Sequence, residues 1–170
     1  MKKAVLIIAH RNFRDEELRI PLQILRDNSI ICVIASTSLD MAKGSLGTEV
    51  KPDVLIRDVD PEDYDVIIFI GGPGAMVLAG REDVVMLLSS AEKKKKILAA
   101  ICIAPAIFAK AGVLKDKKAT VWKSDESISI LEKGKAVFVD KPVVVDGLIV
   151  TANGPQAAEE FGEKIVEMLE

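Results

Sequence analysis

Wholly apolar runs alternate with amphipathic segments along this chain. Four of the runs are rich in branched residues and are bounded by polar or turn residues: 4–9, 30–35, 66–70 and 97–101. Such runs are typical of strands that are buried on both faces of a parallel sheet. The segments between them carry apolar residues at helical spacing, so the pattern predicts strands that alternate with helices.

The first predicted helix begins at residues 15–17, three acids that suit the positive end of a helix dipole. Pro21 lies inside this helix and cannot donate a hydrogen bond to the carbonyl of Glu17, so we expect a local distortion there. The helix should end near residues 27–28. Further helices are predicted over 82–96, over 106–113, over 124–132 with Gly134 as the C-cap, and after Asn153-Gly154-Pro155.

Shorter strands are predicted over 119–122, 136–139 and 143–150, the last turning at Asp146-Gly147. Segments 44–51 and 54–57 have mixed polarity and are predicted to be the two arms of a hairpin. No linker, repeat or low-complexity segment interrupts the pattern. The sequence therefore predicts one α/β domain over residues 1–170: a doubly wound, mostly parallel sheet sandwiched by helices, with a small antiparallel hairpin annex.

Composition and charge narrow the classes of partner. The net charge is −3 and the longest apolar stretch, 97–109, is too short to span a bilayer, so we expect neither nucleic acid nor a membrane as a partner. Two cysteines make no disulfide framework, which favours a reducing, cytoplasmic location. Cys32 lies in an apolar run and is expected to be a strand core residue. The basic run 93–96 should be the solvated end of a helix.

Cys102 stands at a predicted strand-to-helix turn, between the run 97–101 and Pro105. A sharp turn of this kind presents a nucleophile at the start of a helix. The unpaired N–H groups and the dipole at that helix end favour a thiolate over a thiol. The alternative is a buried cysteine that only fills space, as most free cysteines do. A thiol with an ordinary pKa of about 8.5 would have to be shifted down by about one to two pH units to be mainly thiolate near neutral pH.

Other special residues also follow predicted strands: His10, Gly71-Gly72 and Asn153. Ligand sites of doubly wound sheets form at the carboxyl ends of the strands, so these residues are candidates for the surroundings of Cys102. The loop 71–74 (Gly-Gly-Pro-Gly) has neither the dinucleotide nor the P-loop spacing. Its Gly72 N–H and the Ile103 N–H could form an oxyanion hole, or the loop could be only a tight turn.

Glu17 could share a proton with Cys102 if it faces the crevice, and it lies one turn before Pro21 and beside the inward-facing Leu18. The alternative for Glu17 is a surface acid of a first helical turn. Asp15 and Glu16, its neighbours, are expected to be surface acids of a first helical turn. His10 is the only histidine and follows a strand, so it could serve as an accessory base. One histidine and two distant cysteines cannot form a zinc site, and no metal or other cofactor is expected.

Several of these features occur together in one known family: Asp15-Glu16-Glu17-Leu18 with Pro21, the strand 66–70 with its Gly-Gly loop, the pattern Ala99-Ala100-Ile101-Cys102-x-x-Pro105, and Val144-Val145-Asp146-Gly147 continuing to Thr151 and Gly154-Pro155. Nearly end to end, the chain resembles the ThiJ/PfpI superfamily, the class I glutamine amidotransferase-like group that includes the Parkinson-disease protein and the intracellular protease PfpI. The resemblance implies a flavodoxin-like fold and a homo-oligomer, a dimer or a hexamer. It also implies a reactive cysteine at Cys102, a glutamate at Glu17 and oxyanion amides at Gly72 and Ile103.

The chain departs from that family at its histidines. PfpI-like hydrolases carry a histidine directly after the cysteine, where this chain has Ile103, and the Parkinson-protein branch has one a short way further on, where Trp122 stands. Amide cleavage needs a general acid for the leaving amine, whereas addition to an aldehyde needs only a proton shuttle, which Glu17 could supply. This requires Glu17 to be protonated for part of the cycle, with a raised pKa.

Three hypotheses follow. The preferred one is a glyoxalase- or deglycase-like enzyme acting on small reactive carbonyls through Cys102 and Glu17. The second is an intracellular cysteine peptidase or hydrolase of the PfpI type acting on peptides, with His10 or a neighbouring subunit's histidine as the base. The third is a non-catalytic redox sensor or chaperone-like protein, in which Glu17 would hydrogen-bond an oxidised Cys102. Trp122 and Asn153 are candidate accessory residues in all three.

Overall fold

A seven-stranded sheet lies at the centre of the computed structural model, which describes residues 1–170. The strands of the molecule are β1 (Lys3–Ile7), β2 (Arg11–Phe13), β3 (Ile31–Ser36), β4 (Ala42–Gly44), β5 (Glu49–Val50), β6 (Val54–Leu55), β7 (Val66–Phe69), β8 (Ile97–Ile101), β9 (Lys118–Ala119), β10 (Val137–Phe138), β11 (Val143–Asp146) and β12 (Ile149–Ala152). The helices are α1 (Asp15–Asp27), α2 (Glu82–Lys93), α3 (Ala104–Ala111), α4 (Asp125–Lys133) and α5 (Ala158–Leu169).

The central sheet has the strand order β11-β12-β8-β7-β1-β3-β6, and every neighbouring pair is parallel except β11–β12. β7 and β8 are buried along their whole length, and β1 is buried from its second residue onward. Alternate residues of each strand enter two separate cores, one on each face; Val5 and Ile7 point into one, Ala4 and Leu6 into the other. The flavodoxin-like α/β fold expected from the sequence is confirmed.

The predicted hairpin is wrong in its pairing. β4 pairs with β5, whereas β6 joins the edge of the central sheet in parallel with β3. Asp53 explains the difference, because its side chain accepts a hydrogen bond from the Ile34 N–H at 2.9 Å and its own N–H donates to the Ile34 carbonyl at 2.8 Å. These two bonds fasten the segment after β5 to the neighbouring strand.

The other short strands also differ from their predictions. The strand predicted over 119–122 ends at Ala119, and together with β10 it forms a separate two-stranded parallel sheet. The turn between β11 and β12 is at Gly147, as predicted. Gly134 is the C-cap of α4, as predicted, with an ordinary negative φ. No helix has the length and apolarity that crossing a bilayer requires.

Helix α1 runs without a break through Pro21 and packs against α5. Gly162 of α5 is needed at this contact, since a Cβ there would lie 3.0 Å from the Ile24 side chain and 3.2 Å from the Pro21 backbone. The N-terminal end of α1 is held by the hairpin β4–β5, because Asp15 accepts hydrogen bonds from the N–H groups of Leu46 and Thr48. The expectation that Asp15 is a surface acid is therefore wrong: it is 5% exposed.

Candidate active site

Cys102 occupies the sharp turn between β8 and α3. Its backbone has φ = +65°, a left-handed conformation that is unfavourable for a residue with a Cβ. Two hydrogen bonds fix this conformation: the Cys102 N–H donates to the Ala152 carbonyl at 2.9 Å, and the Trp122 N–H donates to the Cys102 carbonyl at 2.7 Å. The predicted strand-to-helix turn is therefore present, and the neighbouring segments hold it in place.

Glu17 lies in the first turn of α1 and is fully buried. Its Oε1 accepts a hydrogen bond from the Gly71 N–H at 3.0 Å, while its Oε2 is buried and has no partner with hydrogen-bond geometry. A Cβ on Gly71 would lie 2.7 Å from each of the Glu17 Oε1, the Cys102 Cβ and the Ile101 carbonyl oxygen. The carboxyl and the thiol can therefore come together only because residue 71 has no side chain.

Two backbone N–H groups lie close enough to the Cys102 sulfur to affect the pKa of its thiol. Hydrogen bonds from Ile103 and Gly72 act to lower the pKa of the thiol. Gly72 has φ = +113°, and a Cβ there would lie 2.3 Å from the Arg14 nitrogen. The glycine is thus required both for its backbone conformation and for the close approach of the loop to Arg14.

Burial raises the pKa of Glu17 to about 7, while the Cys102 thiol, the Gly71 N–H and the Arg14 charge act in the opposite direction. Glu17 can therefore gain and lose a proton near neutral pH, as the aldehyde hypothesis requires. Burial also raises the pKa of Cys102 to about 12, and the neighbouring Glu17 adds to the shift. The expectation that the pKa of the Cys102 thiol is lowered overall is wrong, since desolvation and the nearby carboxylate outweigh the two N–H groups.

The thiol and the carboxyl open into a cavity of about 350 Å³. Ten residues line it: Arg14, Glu17, Gly72, Pro73, Met76, Cys102, Ile103, Trp122, Pro155 and Gln156. Five of them were candidates from the sequence, and the structure brings these five together; their catalytic roles stay predictions. None of the other five was predicted from the sequence to be a site residue, although Pro73 and Pro155 adjoin glycines of the patterns noted there.

His10 and Asn153 do not line this cavity. The Nδ1 of His10 is buried without a hydrogen-bond partner, and the Asn153 N–H donates to the Pro142 carbonyl. A larger groove of about 790 Å³ lies between residues 56–61 and α2, but no cysteine or histidine lines it. No group of three His, Cys, Asp or Glu side chains is arranged to hold a metal ion. The candidate site is therefore the smaller cavity.

Known proteins share both this sequence pattern and this fold. The model of the DJ-1/PfpI family matches residues 2–168. A glutathione-independent glyoxalase of Caenorhabditis elegans, DJR-1.2, is 27% identical over 99% of this chain and 89% of its own length. Deglycase PfpI of Pyrococcus furiosus is 28% identical over 97% of this chain and 98% of its own. The crystal structure of a ThiJ/PfpI domain protein from Brachyspira murdochii superimposes with a TM-score of 0.94, at 30% identity, covering 98% of this chain and 95% of that one.

Proposed function

Because the chain belongs to the DJ-1/PfpI family, we propose that it is a reactive-cysteine enzyme that acts on small reactive carbonyls in the manner of a glyoxalase or deglycase. One observation carries the proposal. A buried carboxyl with a pKa of about 7 lies beside a thiol, and two backbone N–H groups lie close to the same sulfur. Relatives named glyoxalase and deglycase support the same reaction class.

The first step is addition of the thiol to an aldehyde. The Cys102 sulfur forms a bond to the carbonyl carbon, the C=O π bond becomes an oxyanion, and the ionised Glu17 accepts the thiol proton. The N–H groups of Gly72 and Ile103 stabilise the oxyanion until Glu17 returns the proton to it. The product is a hemithioacetal. The raised thiol pKa does not prevent this step, because the proton leaves as the bond forms.

With a 2-oxoaldehyde the same carboxyl can complete an internal redox reaction. Glu17 removes the proton from the hemithioacetal carbon, which gives an enediol, and returns it to the neighbouring carbon. The aldehyde carbon is thereby oxidised to a thioester and the ketone carbon is reduced to an alcohol. Water then hydrolyses the thioester, which releases a 2-hydroxy acid and restores the thiol. The oxidation of one carbon is balanced by the reduction of the other, so the reaction needs no redox cofactor.

Purified protein with methylglyoxal tests this proposal. We expect the wild type to form lactate, Cys102→Ser to form none above the uncatalysed background, and Glu17→Gln to lose most of the activity. Cys32→Ser is the matched control, because Cys32 is a half-buried strand residue far along the chain from the site, and it should retain full activity. Equal, background-level lactate from the wild type and Cys102→Ser would overturn the proposal.

One observation also favours the redox-sensor hypothesis. The Glu17 Oε2 is unpartnered and lies in the same buried site as the sulfur, so a protonated Glu17 could donate a hydrogen bond to a sulfinate on Cys102. Mass spectrometry after mild peroxide treatment should find sulfinate at Cys102 and not at Cys32. Oxidation spread equally over both cysteines would argue against a sensor. Nothing comparable favours the peptidase hypothesis, since no imidazole lines the cavity.

A further inference from the structure

Arg14 is the one cationic residue that lines the cavity. The other nine lining residues are apolar or neutral apart from Glu17 and the thiol of Cys102. Both of these groups raise the pKa of Arg14 by charge interaction, after the larger effect of its hydrogen bond with Glu16. The guanidinium therefore lies within the electrostatic field of the reacting pair.

The backbone and the side chain of Arg14 are both held in place. Its N–H donates to the Gly71 carbonyl at 2.9 Å, which ties the start of α1 to the glycine loop. Its Nε donates to one oxygen of Glu16 at 2.6 Å and its Nη2 to the other at 3.2 Å. A guanidinium has five N–H donors, so these two bonds orient the group and leave donors for a further acceptor.

Arg14 is also accessible to a ligand, since its side chain is 35% exposed. Its Glu16 partner is 28% exposed and does not line the cavity, so the ion pair is only partly shielded from water. A planar, permanently charged guanidinium is well suited to bind a carboxylate. The cavity wall formed by Trp122, Ile103 and Met76 offers no charge to compete with it.

We propose that Arg14 binds a carboxylate on the substrate, so that this site prefers small aldehydes and 2-oxoaldehydes that carry an acid group over neutral ones. The inference rests on the proposed function, because it assigns the substrate class of that same site. The aldehyde adds to Cys102 with the proton transfers already described, and the carboxylate takes no part in bond making. Arg14 is thus a specificity-determining residue.

A pair of alkylating reagents isolates this preference from turnover. Iodoacetate and iodoacetamide react with the same thiol by the same displacement and differ in a carboxylate against a neutral amide. At Cys102, the rate with iodoacetate divided by the rate with iodoacetamide is measured by peptide mass spectrometry. This ratio should fall about fivefold in Arg14→Gln, as expected for loss of a partly exposed ion pair. Arg14→Lys should retain part of the preference, and Glu16→Gln should increase it by freeing the guanidinium.

Two controls make the ratio specific. Arg19→Gln removes an exposed arginine of helix α1 and should leave the ratio unchanged. Cys32, in the same protein molecules, should show the same ratio in every variant. A ratio at Cys102 that stays constant in Arg14→Gln, or falls equally in Arg19→Gln, overturns the inference. If Cys102 reacts with neither reagent, the proposed function fails and the inference fails with it.

Protection by aldehydes gives an independent readout. Glyoxylate carries a carboxylate and an aldehyde but no neighbouring ketone, so with Cys102 it stops at the hemithioacetal. We expect glyoxylate to protect Cys102 from iodoacetamide in the wild type at concentrations about fivefold lower than in Arg14→Gln. The neutral glycolaldehyde should protect both proteins equally. Equal protection of both proteins by glyoxylate would overturn the inference while leaving thiol addition intact.

Discussion

Helix α1 carries two buried carboxyl groups, two residues apart, that differ in how they are satisfied. Asp15 is 5% exposed and Glu17 is fully buried. Both oxygens of Asp15 accept hydrogen bonds, from the N–H groups of Leu46 at 2.9 Å and Thr48 at 2.8 Å. Only one oxygen of Glu17 does so, from the Gly71 N–H at 3.0 Å. One carboxyl thus fastens a hairpin, while the other keeps an acceptor free beside a thiol.

The pKa values of Asp15 and Glu17 are shifted in opposite directions. Burial favours the neutral acid at Asp15, but hydrogen bonds from Thr48 and Leu46 together outweigh it and lower its pKa. Burial is also the largest influence at Glu17, where it prevails and raises the pKa to about 7. Burial alone therefore does not decide the charge of a carboxyl. The number of donors that the fold supplies decides whether a buried carboxyl keeps its charge at neutral pH or can exchange a proton there.

Gly71→Ala should produce the largest effect, because it disrupts the contact that Glu17 depends on. The new Cβ would lie 2.7 Å from the Glu17 Oε1 and from the Cys102 Cβ, so we expect a loss of about 3 kcal/mol in the free energy of unfolding. The rate at which iodoacetamide alkylates Cys102 should also change, because the added Cβ pushes the thiol and the carboxyl apart. Urea unfolding and iodoacetamide kinetics measure the two effects.

Gly47→Ala is the control for this substitution. Gly47 has φ = +100° and no heavy atom within 4 Å of an added Cβ, so only the backbone conformation is penalised, by about 1 kcal/mol. Alkylation at Cys102 should be unaffected. If Gly71→Ala cost no more than Gly47→Ala, the close packing of residue 71 against the site would be contradicted.

Glu17→Gln should change the pH dependence of stability. The folded pKa of about 7 lies above the reference value of 4.5, so ionising Glu17 destabilises the fold, and this penalty grows as the pH rises from 4.5 through 7. The two pKa values correspond to about 3 kcal/mol in full. Between pH 5 and pH 8 the variant should therefore gain about 2 to 3 kcal/mol relative to the wild type. Urea unfolding at the two pH values measures this; a pH-independent difference would contradict the raised pKa.

The sequence predicted the central sheet because its strands are buried on both faces, which leaves unbroken apolar runs such as 66–70. It also predicted the turn at Cys102, since an apolar run followed closely by Pro105 marks a strand-to-helix boundary. The prediction of the hairpin was wrong for the opposite reason. β5 and β6 are two residues each, and such short strands carry too little pattern to identify a partner.

The roles of the polar residues around the site were harder to predict because their partners are distant in the chain. An acid in a first helical turn is usually exposed. Nothing near Asp15 in the sequence predicts that N–H groups 31 and 33 residues later donate hydrogen bonds to it. Arg14 was missed for the same reason. Arg14 lines the cavity only in the folded chain, where its backbone N–H donates to the Gly71 carbonyl.

Asp15→Asn should have the stability effect opposite to that of Glu17→Gln. An amide has one acceptor oxygen, so one of the N–H groups of Leu46 and Thr48 would face an NH₂ group, at a cost of about 2 kcal/mol near neutral pH. The lowered pKa of Asp15 means that its contribution is complete above its reference value of 3.8 and is lost as the pH falls through the folded pKa. The cost of the substitution should shrink accordingly in acid.

Asp27→Asn is the matched control, because Asp27 ends the same helix and its only side-chain bond is an exposed one with Gln23. It should change the free energy of unfolding by less than about 0.5 kcal/mol. Chemical unfolding of both variants at pH 7 and pH 3 makes the comparison. A cost at Asp15 no larger than that at Asp27 would contradict the structural role of its two hydrogen bonds.

The pH profile of Cys102 alkylation should reveal the smallest of these effects and the one closest to chemistry. Thiol and carboxyl form a coupled pair, so the first proton lost near pH 7 belongs to both groups, whichever of them holds the remaining charge. In the wild type the iodoacetamide rate should therefore inflect near pH 7. Glu17→Gln removes the shared proton, and its profile should rise only with ionisation of the thiol itself.

Cys32 serves as the internal reference, because burial raises its pKa to about 11 with no carboxyl beside it, so its rate should show no inflection near 7 in either protein. An inflection near pH 7 that survives in Glu17→Gln would separate Cys102 from the carboxyl and remove the basis for assigning Glu17 as the proton shuttle.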